Sequence, residues 1–154
     1  MRMEPIEKRR TPSITWHWIP VALWMGIILF FTLYNVNTLH NTYGFLFKLF
    51  RILRLPEMAP AKLFHFFAYA VLFLLEAGAI RRQYFSRLTR LQAGFILLSV
   101  IAFGALQEGL QFVVQTRHPS VLDLILNTAG GIVGLGTIYL VNLNILSSPV
   151  KQTT

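Results

Sequence analysis

Four long apolar runs, separated by short polar stretches, set the rhythm of the chain: residues 16–34, 62–80, 91–115 and 121–141. Each approaches the ~20 apolar residues with which one helix crosses the hydrocarbon core of a bilayer. In the first run, WHWIPVALWMGIILFFTLY, Trp16 and Trp18 at one end and Tyr34 at the other suit the two interfacial aromatic belts. The basic residues ahead of it resemble the start of a signal peptide. The run is too long for one and no small-x-small cleavage site follows, so it reads as a retained first helix. A different pattern occupies residues 44–54, GFLFKLFRILR, where Lys48, Arg51 and Arg54 recur every third residue among apolar neighbours. A helix of about three turns is too short to span, and its basic stripe predicts that it lies in the membrane interface, ended by Pro56 and Pro60. Residues 116–120 form the turn between the third and fourth runs, with Pro119 separating the two elements.

The pattern therefore predicts an all-α integral membrane protein with four transmembrane helices and one short interfacial amphipathic helix. A basic N-terminus covers residues 1–15, a four-helix membrane domain residues 16–141 and a short polar tail residues 142–154. Composition agrees: 55% of residues are hydrophobic and 13% charged, against about 45–50% and 25% in soluble domains. With no cysteine, disulfides and thiolate chemistry are excluded. The net charge of +8 would point to nucleic acid if it covered one soluble face. Here the basic residues lie between apolar runs, so the expected partners are membrane lipids and not nucleic acid.

Charge also orients the chain. With four spans, the N-terminus, residues 81–90 and the tail share one side with nine Lys and Arg, and the other side receives five: Lys48, Arg51, Arg54, Lys62 and Arg117. The positive-inside rule then places both termini in the cytoplasm of a multipass cell-membrane protein.

Within this topology, polar residues converge on one membrane face. Lys62, His65 and Tyr69 begin the second helix at i, i+3 and i+7 and share one side of it. Glu108, Gln111 and Gln115 do the same at the end of the third, and Asp123 and Asn127, at i and i+4, at the start of the fourth. Arg117 and Ser120 lie in the turn between. Ionisable groups at this depth cost a few kcal/mol unless paired or wetted, and a shared outward-facing polar pocket satisfies them together. In such a pocket Glu108, His65 and Asp123 are the candidates for acid–base catalysis. Arg117, Lys62, Asn127, Gln111 and Tyr69 are the candidates for holding a headgroup.

Structural explanations stand beside these. Ser120 followed by Asp123 ahead of an apolar run is a capping-box pattern. Asn127 and Gln111 read equally as interhelical hydrogen-bonding glue, Lys62 and Arg117 as snorkelling cations, and Glu108 as half of an ion pair with Arg117, Lys62 or His65. Gly130 and Gly134 form a G-x-x-x-G whose simplest role is helix packing. With Gly131 and Gly136 they mark the fourth helix as the expected centre of the bundle. Glu76 is expected to snorkel toward Arg81 and Arg82. Acidic residues and histidine have no metal-ligand spacing, so no metal and no cofactor is expected.

The polar set resembles the VanZ-like membrane proteins. The resemblance rests on Lys62-x-x-His65-x-x-x-Tyr69, Glu108-x-x-Gln111-Phe112, Arg117, and Ser120-x-x-Asp123-x-x-x-Asn127-x-x-Gly130-x-x-x-Gly134. Two positions depart from that pattern: Ala61 replaces an acidic residue before the lysine, and Gln115-Thr116 replaces a Pro-Gly before the arginine. The resemblance implies a bacterial multipass protein of the cell envelope. The namesake is linked to low-level teicoplanin resistance, and the family has no established common reaction. A lipid-linked or glycopeptide ligand follows as an expectation, whereas the oligomeric state does not. The alternative is a non-enzymatic scaffold or partner subunit whose polar residues only lock the helices. A reporter fused to the C-terminus tests the topology: it is expected to be active only in its cytoplasm-dependent form, and activity confined to the exterior would reverse the orientation.

Overall fold

The computed structural model describes residues 16–33, 52, 59–84, 88–114 and 119–147. A 3₁₀ turn, Trp16–Trp18, leads into α1, Ile19–Leu33. Three longer helices follow: α2, Ala59–Tyr84; α3, Arg90–Val114; and α4, Val121–Ser147. Four stretches are long and apolar enough to cross a membrane, namely Trp16–Leu33, Ala61–Tyr84, Arg90–Val113 and Val121–Val141. No strand occurs among the described residues. The protein is all-α with four candidate spans, as its hydrophobic pattern predicts. The interfacial helix expected over residues 44–54 lies, Ile52 apart, outside the described residues, as does Arg117.

Helix ends follow local chemistry more closely than the apolar runs do. Pro60 stands in the first turn of α2; its missing N–H falls where a helix has no acceptor for it. Arg81 and Arg82 belong to the last turn of α2, beside the negative end of the helix dipole. α3 opens with a reciprocal capping box: Thr89 Oγ1 accepts from the Gln92 N–H at 3.2 Å, and Gln92 Oε1 accepts from the Thr89 N–H at 2.9 Å. α4 continues past residue 141 to Ser147.

The helices alternate in direction, so α1 and α3 end where α2 and α4 begin. α2 and α3 each touch the three other helices, and α1 and α4 do not meet. The centre of the bundle is therefore not α4, which the glycine count predicts. Half of the α2 span is buried, against 22% of the α4 span. The glycines of α4 mark a close approach on one side of that helix, which is a different property from being surrounded. A Cβ at Gly130 would lie 2.1 Å from the Phe66 carbonyl oxygen, and one at Gly134 would lie 2.9 Å from that of Ala70. Both glycines therefore seat α4 on the backbone of α2 within the same chain. Gly131 turns toward Leu97 and Val100 of α3, and Gly136 meets nothing.

Tyr69, Leu72, Phe73, Ile96, Val100, Phe103 and Ile28 form the core between the helices. Leu23, Phe30, Phe95, Leu98, Leu106 and Leu140 point outward, which is the normal place for apolar side chains when the solvent is lipid. Trp18 Nε1 donates to Gln83 Oε1 at 3.0 Å, and Trp24 Nε1 to the Ala68 carbonyl at 2.9 Å, fixing α1 along α2.

Glu76 departs from its expected snorkelling. It is 5% exposed and accepts from Ser99 Oγ of α3 at 3.2 Å. Arg81 and Arg82 lie roughly 120–140° around the helix from it, so its carboxylate turns to the neighbouring helix instead. The α2–α4 contact is directly testable. Gly130→Ala is expected to lower thermal stability in detergent by about 1–3 kcal/mol, because backbone would have to move, whereas Gly136→Ala should leave the melting temperature unchanged.

Candidate functional site

The end of the bundle where α1 and α3 finish and α2 and α4 begin carries the polar cluster. Because α2 and α4 run parallel and in contact, residues at the start of each face one another. Lys62 Nζ pairs with the Asp123 carboxylate and also donates to Ser120 Oγ at 3.3 Å. The lysine side chain keeps 24% of its exposure and that of Asp123 13%, so this pair forms the accessible rim. One turn deeper, His65 Nδ1 lies 3.0 Å from Asn127 Oδ1. With the amide oxygen turned toward the ring, Nδ1 donates to it. Nε2 lies 3.9 Å from Asp123 Oδ2, too far for a direct hydrogen bond. A hydrogen-bonding group placed between them would be in reach of both side chains.

Glu108 joins the cluster by a route that spacing alone does not reveal. Its Oε2 accepts from the backbone N–H of Ser120 at 2.7 Å. The capping box expected from Ser120 and Asp123 is therefore not the one formed. Within it, Asp123 would have reached back to the Ser120 N–H and Ser120 Oγ would have capped the first turn. Instead α3 supplies the carboxylate, Ser120 Oγ accepts from Lys62, and Asp123 is released to pair with that lysine. The backbone N–H groups of Asp123 and Leu124 are met by the Ser120 carbonyl at 2.9 and 3.2 Å.

Tyr69 sits deeper, and Gln111, one turn nearer the end of α3 than Glu108, is buried against α1. Tyr69 is fully buried, and its hydroxyl donates to Gln107 Oε1 at 2.7 Å. Gln111 Nε2 donates to the Thr32 carbonyl of α1 at 3.3 Å. Beside Tyr69, Gly104 makes room for α4: a Cβ there would lie 3.1 Å from Asn127 Nδ2 and 3.4 Å from the Tyr69 ring. The structure thus unites Lys62, His65, Asp123 and Asn127 directly, and Glu108 through Ser120. It places Tyr69 and Gln111 behind them as interhelical ties, and Gly130 and Gly134 farther along α4 against α2. Gln107, Gly104 and Thr32 were missed from sequence. Gln107 had a legible signal, being a further amide in an apolar helix, one turn before Gln111 on the same face. Among the described residues no group of three His, Asp or Glu side chains is placed to hold a metal ion.

This arrangement sits inside a recognised sequence family. The VanZ/LLP1 family model matches residues 17–142, which takes in all four spans and every residue of the cluster. The chain belongs to the VanZ/LLP1 family. No curated protein and no solved structure matches it. In this VanZ/LLP1 protein, Lys62, His65, Tyr69, Glu108, Ser120, Asp123 and Asn127, which carried the resemblance, bring α2, α3 and α4 together at one end.

The Lys62–Asp123 pair is only partly covered, so its loss costs less than that of a fully buried pair. Lys62→Met and Asp123→Leu should each destabilise the folded protein, and the double variant should cost less than the two summed. A coupling of about 0.5–3 kcal/mol in a double-mutant cycle is expected from denaturation in detergent, and additive single effects would show that the pair contributes nothing specific.

Proposed function

We propose that this VanZ/LLP1 protein works in the bacterial cell envelope, binding or modifying an anionic lipid or glycolipid headgroup in the outer leaflet. A role in glycopeptide resistance of the teicoplanin type is the physiological setting we infer. The observation that carries this reading is the grading of the cluster from a partly exposed ion pair, Lys62–Asp123, to a buried His65 held by Asn127. Intramembrane ionisable groups gathered at one level mark a site by default.

The chemistry proceeds from the rim inward. Lys62 is already neutralised by Asp123, so an arriving anion competes with that carboxylate for the ammonium, helped by Arg117. Release of Asp123 leaves it opposite His65 Nε2, where a hydroxyl of the bound headgroup can give up or receive a proton. Glu108 holds the turn through Ser120, and its carboxylate joins His65 and Asp123 in proton transfer to and from the headgroup. The charge count supports placing this end of the bundle on the outer face, with both termini in the cytoplasm.

A second reading is favoured by a specific observation: Asn127, Tyr69, Gln107 and Gln111 all bond between helices, as pure structural glue would. One experiment separates the two. Glu108→Gln keeps an acceptor for Ser120, and Arg117→Ala removes only a side chain in the turn. Both are expected to retain normal expression and melting temperature while losing the envelope or glycopeptide-susceptibility phenotype and the lipid that co-purifies in native mass spectrometry. Lost folding with parallel loss of phenotype would favour the scaffold; unchanged phenotype with normal expression would exclude a functional site.

A further inference from the structure

Behind the charged rim lies a tier of uncharged amides whose hydrogen-bonding capacity is only half used. Gln107, Gln111 and Asn127 are each 0–1% exposed. One end of each amide is engaged: Gln107 Oε1 by Tyr69, Gln111 Nε2 by the Thr32 carbonyl and Asn127 Oδ1 by His65. The other ends, Gln107 Nε2, Gln111 Oε1 and Asn127 Nδ2, have no hydrogen-bond partner among the described residues. Turning an amide over exchanges donor for acceptor but leaves the same corner unpartnered.

The corners of Gln107 and Asn127 flank the Tyr69 ring, and that of Gln111 follows along α3. Gln107 and Gln111 are one turn apart on the same face of α3. Gly104, one turn earlier, lies beside Asn127 Nδ2, where its Cβ would stand 3.1 Å from that atom. Leaving a buried amide group unsatisfied is costly, and three along this wall of the bundle call for a partner. The missing complement is a small neutral group that accepts from two N–H donors and donates to one carbonyl, which is the chemistry of a hydroxyl.

We propose that Gln107, Gln111 and Asn127 form a buried hydroxyl-binding site, filled by water or by a hydroxyl of a polyol headgroup. The site stops at an apolar floor: Leu72, Phe73, Val100 and Phe103 close the bundle beneath it, so it is a chamber and not a path through the membrane. Its existence does not depend on any ligand reaching Lys62, so it stands or falls separately from the headgroup-binding reading.

Radiolytic hydroxyl-radical labelling of the full chain in nanodiscs tests it. Tyr69 and Phe73 are both 0% exposed on α2, and only Tyr69 borders the chamber through Gln107. Radicals generated at a bound water react in place, so Tyr69 is expected to be modified several-fold faster than Phe73. Gln107→Met, similar in length but without the donor, should bring Tyr69 down to the Phe73 rate. Discs of phosphatidylethanolamine alone and discs containing phosphatidylglycerol distinguish the source. Equal Tyr69 labelling in both assigns the hydroxyl to water, and a several-fold loss with phosphatidylglycerol assigns it to the glycerol headgroup. Tyr69 as slow as Phe73 in the parent protein in both kinds of disc, or unchanged by Gln107→Met, would overturn the proposal.

Discussion

The backbone contact between α2 and α4 is the constraint on which the rest of the structure depends. In an alternating four-helix arrangement these two parallel helices would be expected to sit on a diagonal, separated by their neighbours. Gly130 and Gly134 remove the side chains that would hold them apart, so the Phe66 and Ala70 carbonyls approach α4 directly. In a bilayer, where lipid is as apolar as leucine, such close van der Waals packing is one of the few forces that can join helices. The contact also sets the register of the polar end. With α2 and α4 locked side by side, Lys62 falls opposite Asp123 and His65 opposite Asn127. α1 and α4 are left on opposite sides of the bundle, without contact.

The turn before α4 shows how a local motif yields to tertiary structure. Thr89 and Gln92 form a capping box at α3, where nothing else competes for the helix start. Ser120 and Asp123 have a related spacing but do not. Glu108 from α3 takes the Ser120 N–H, and Lys62 from α2 takes both Ser120 Oγ and Asp123. A cation beside a carboxylate in a medium of low dielectric gains more than a neutral cap would return. The substitution ties three helices together through one short turn, and it leaves Asp123 oriented toward His65.

The site is layered by polarity. Its rim is charged and partly exposed, its middle is an imidazole held by an amide, and neutral amides and a phenol lie beside and below it. Below that the bundle is apolar until Glu76 and Ser99 form a separate polar contact between α2 and α3. This grading suits a headgroup that presents charge first and neutral hydrogen-bonding groups behind it.

Read alone, the sequence determined the four spans, the helical class and the family, because apolar run length answers to bilayer thickness and the VanZ-like residues recur at fixed spacing. It also identified Lys62, His65, Asp123 and Asn127 as neighbours at one end, since helical periodicity and alternating direction suffice for that. Only the tertiary structure decided which helix lies at the centre, which partner each polar group takes, and that Gln107, Gly104 and Thr32 belong to the same region. Those outcomes depend on which faces meet. Glycine in a sequence announces that something comes close without saying what, and a carboxylate announces a need for a partner without naming it.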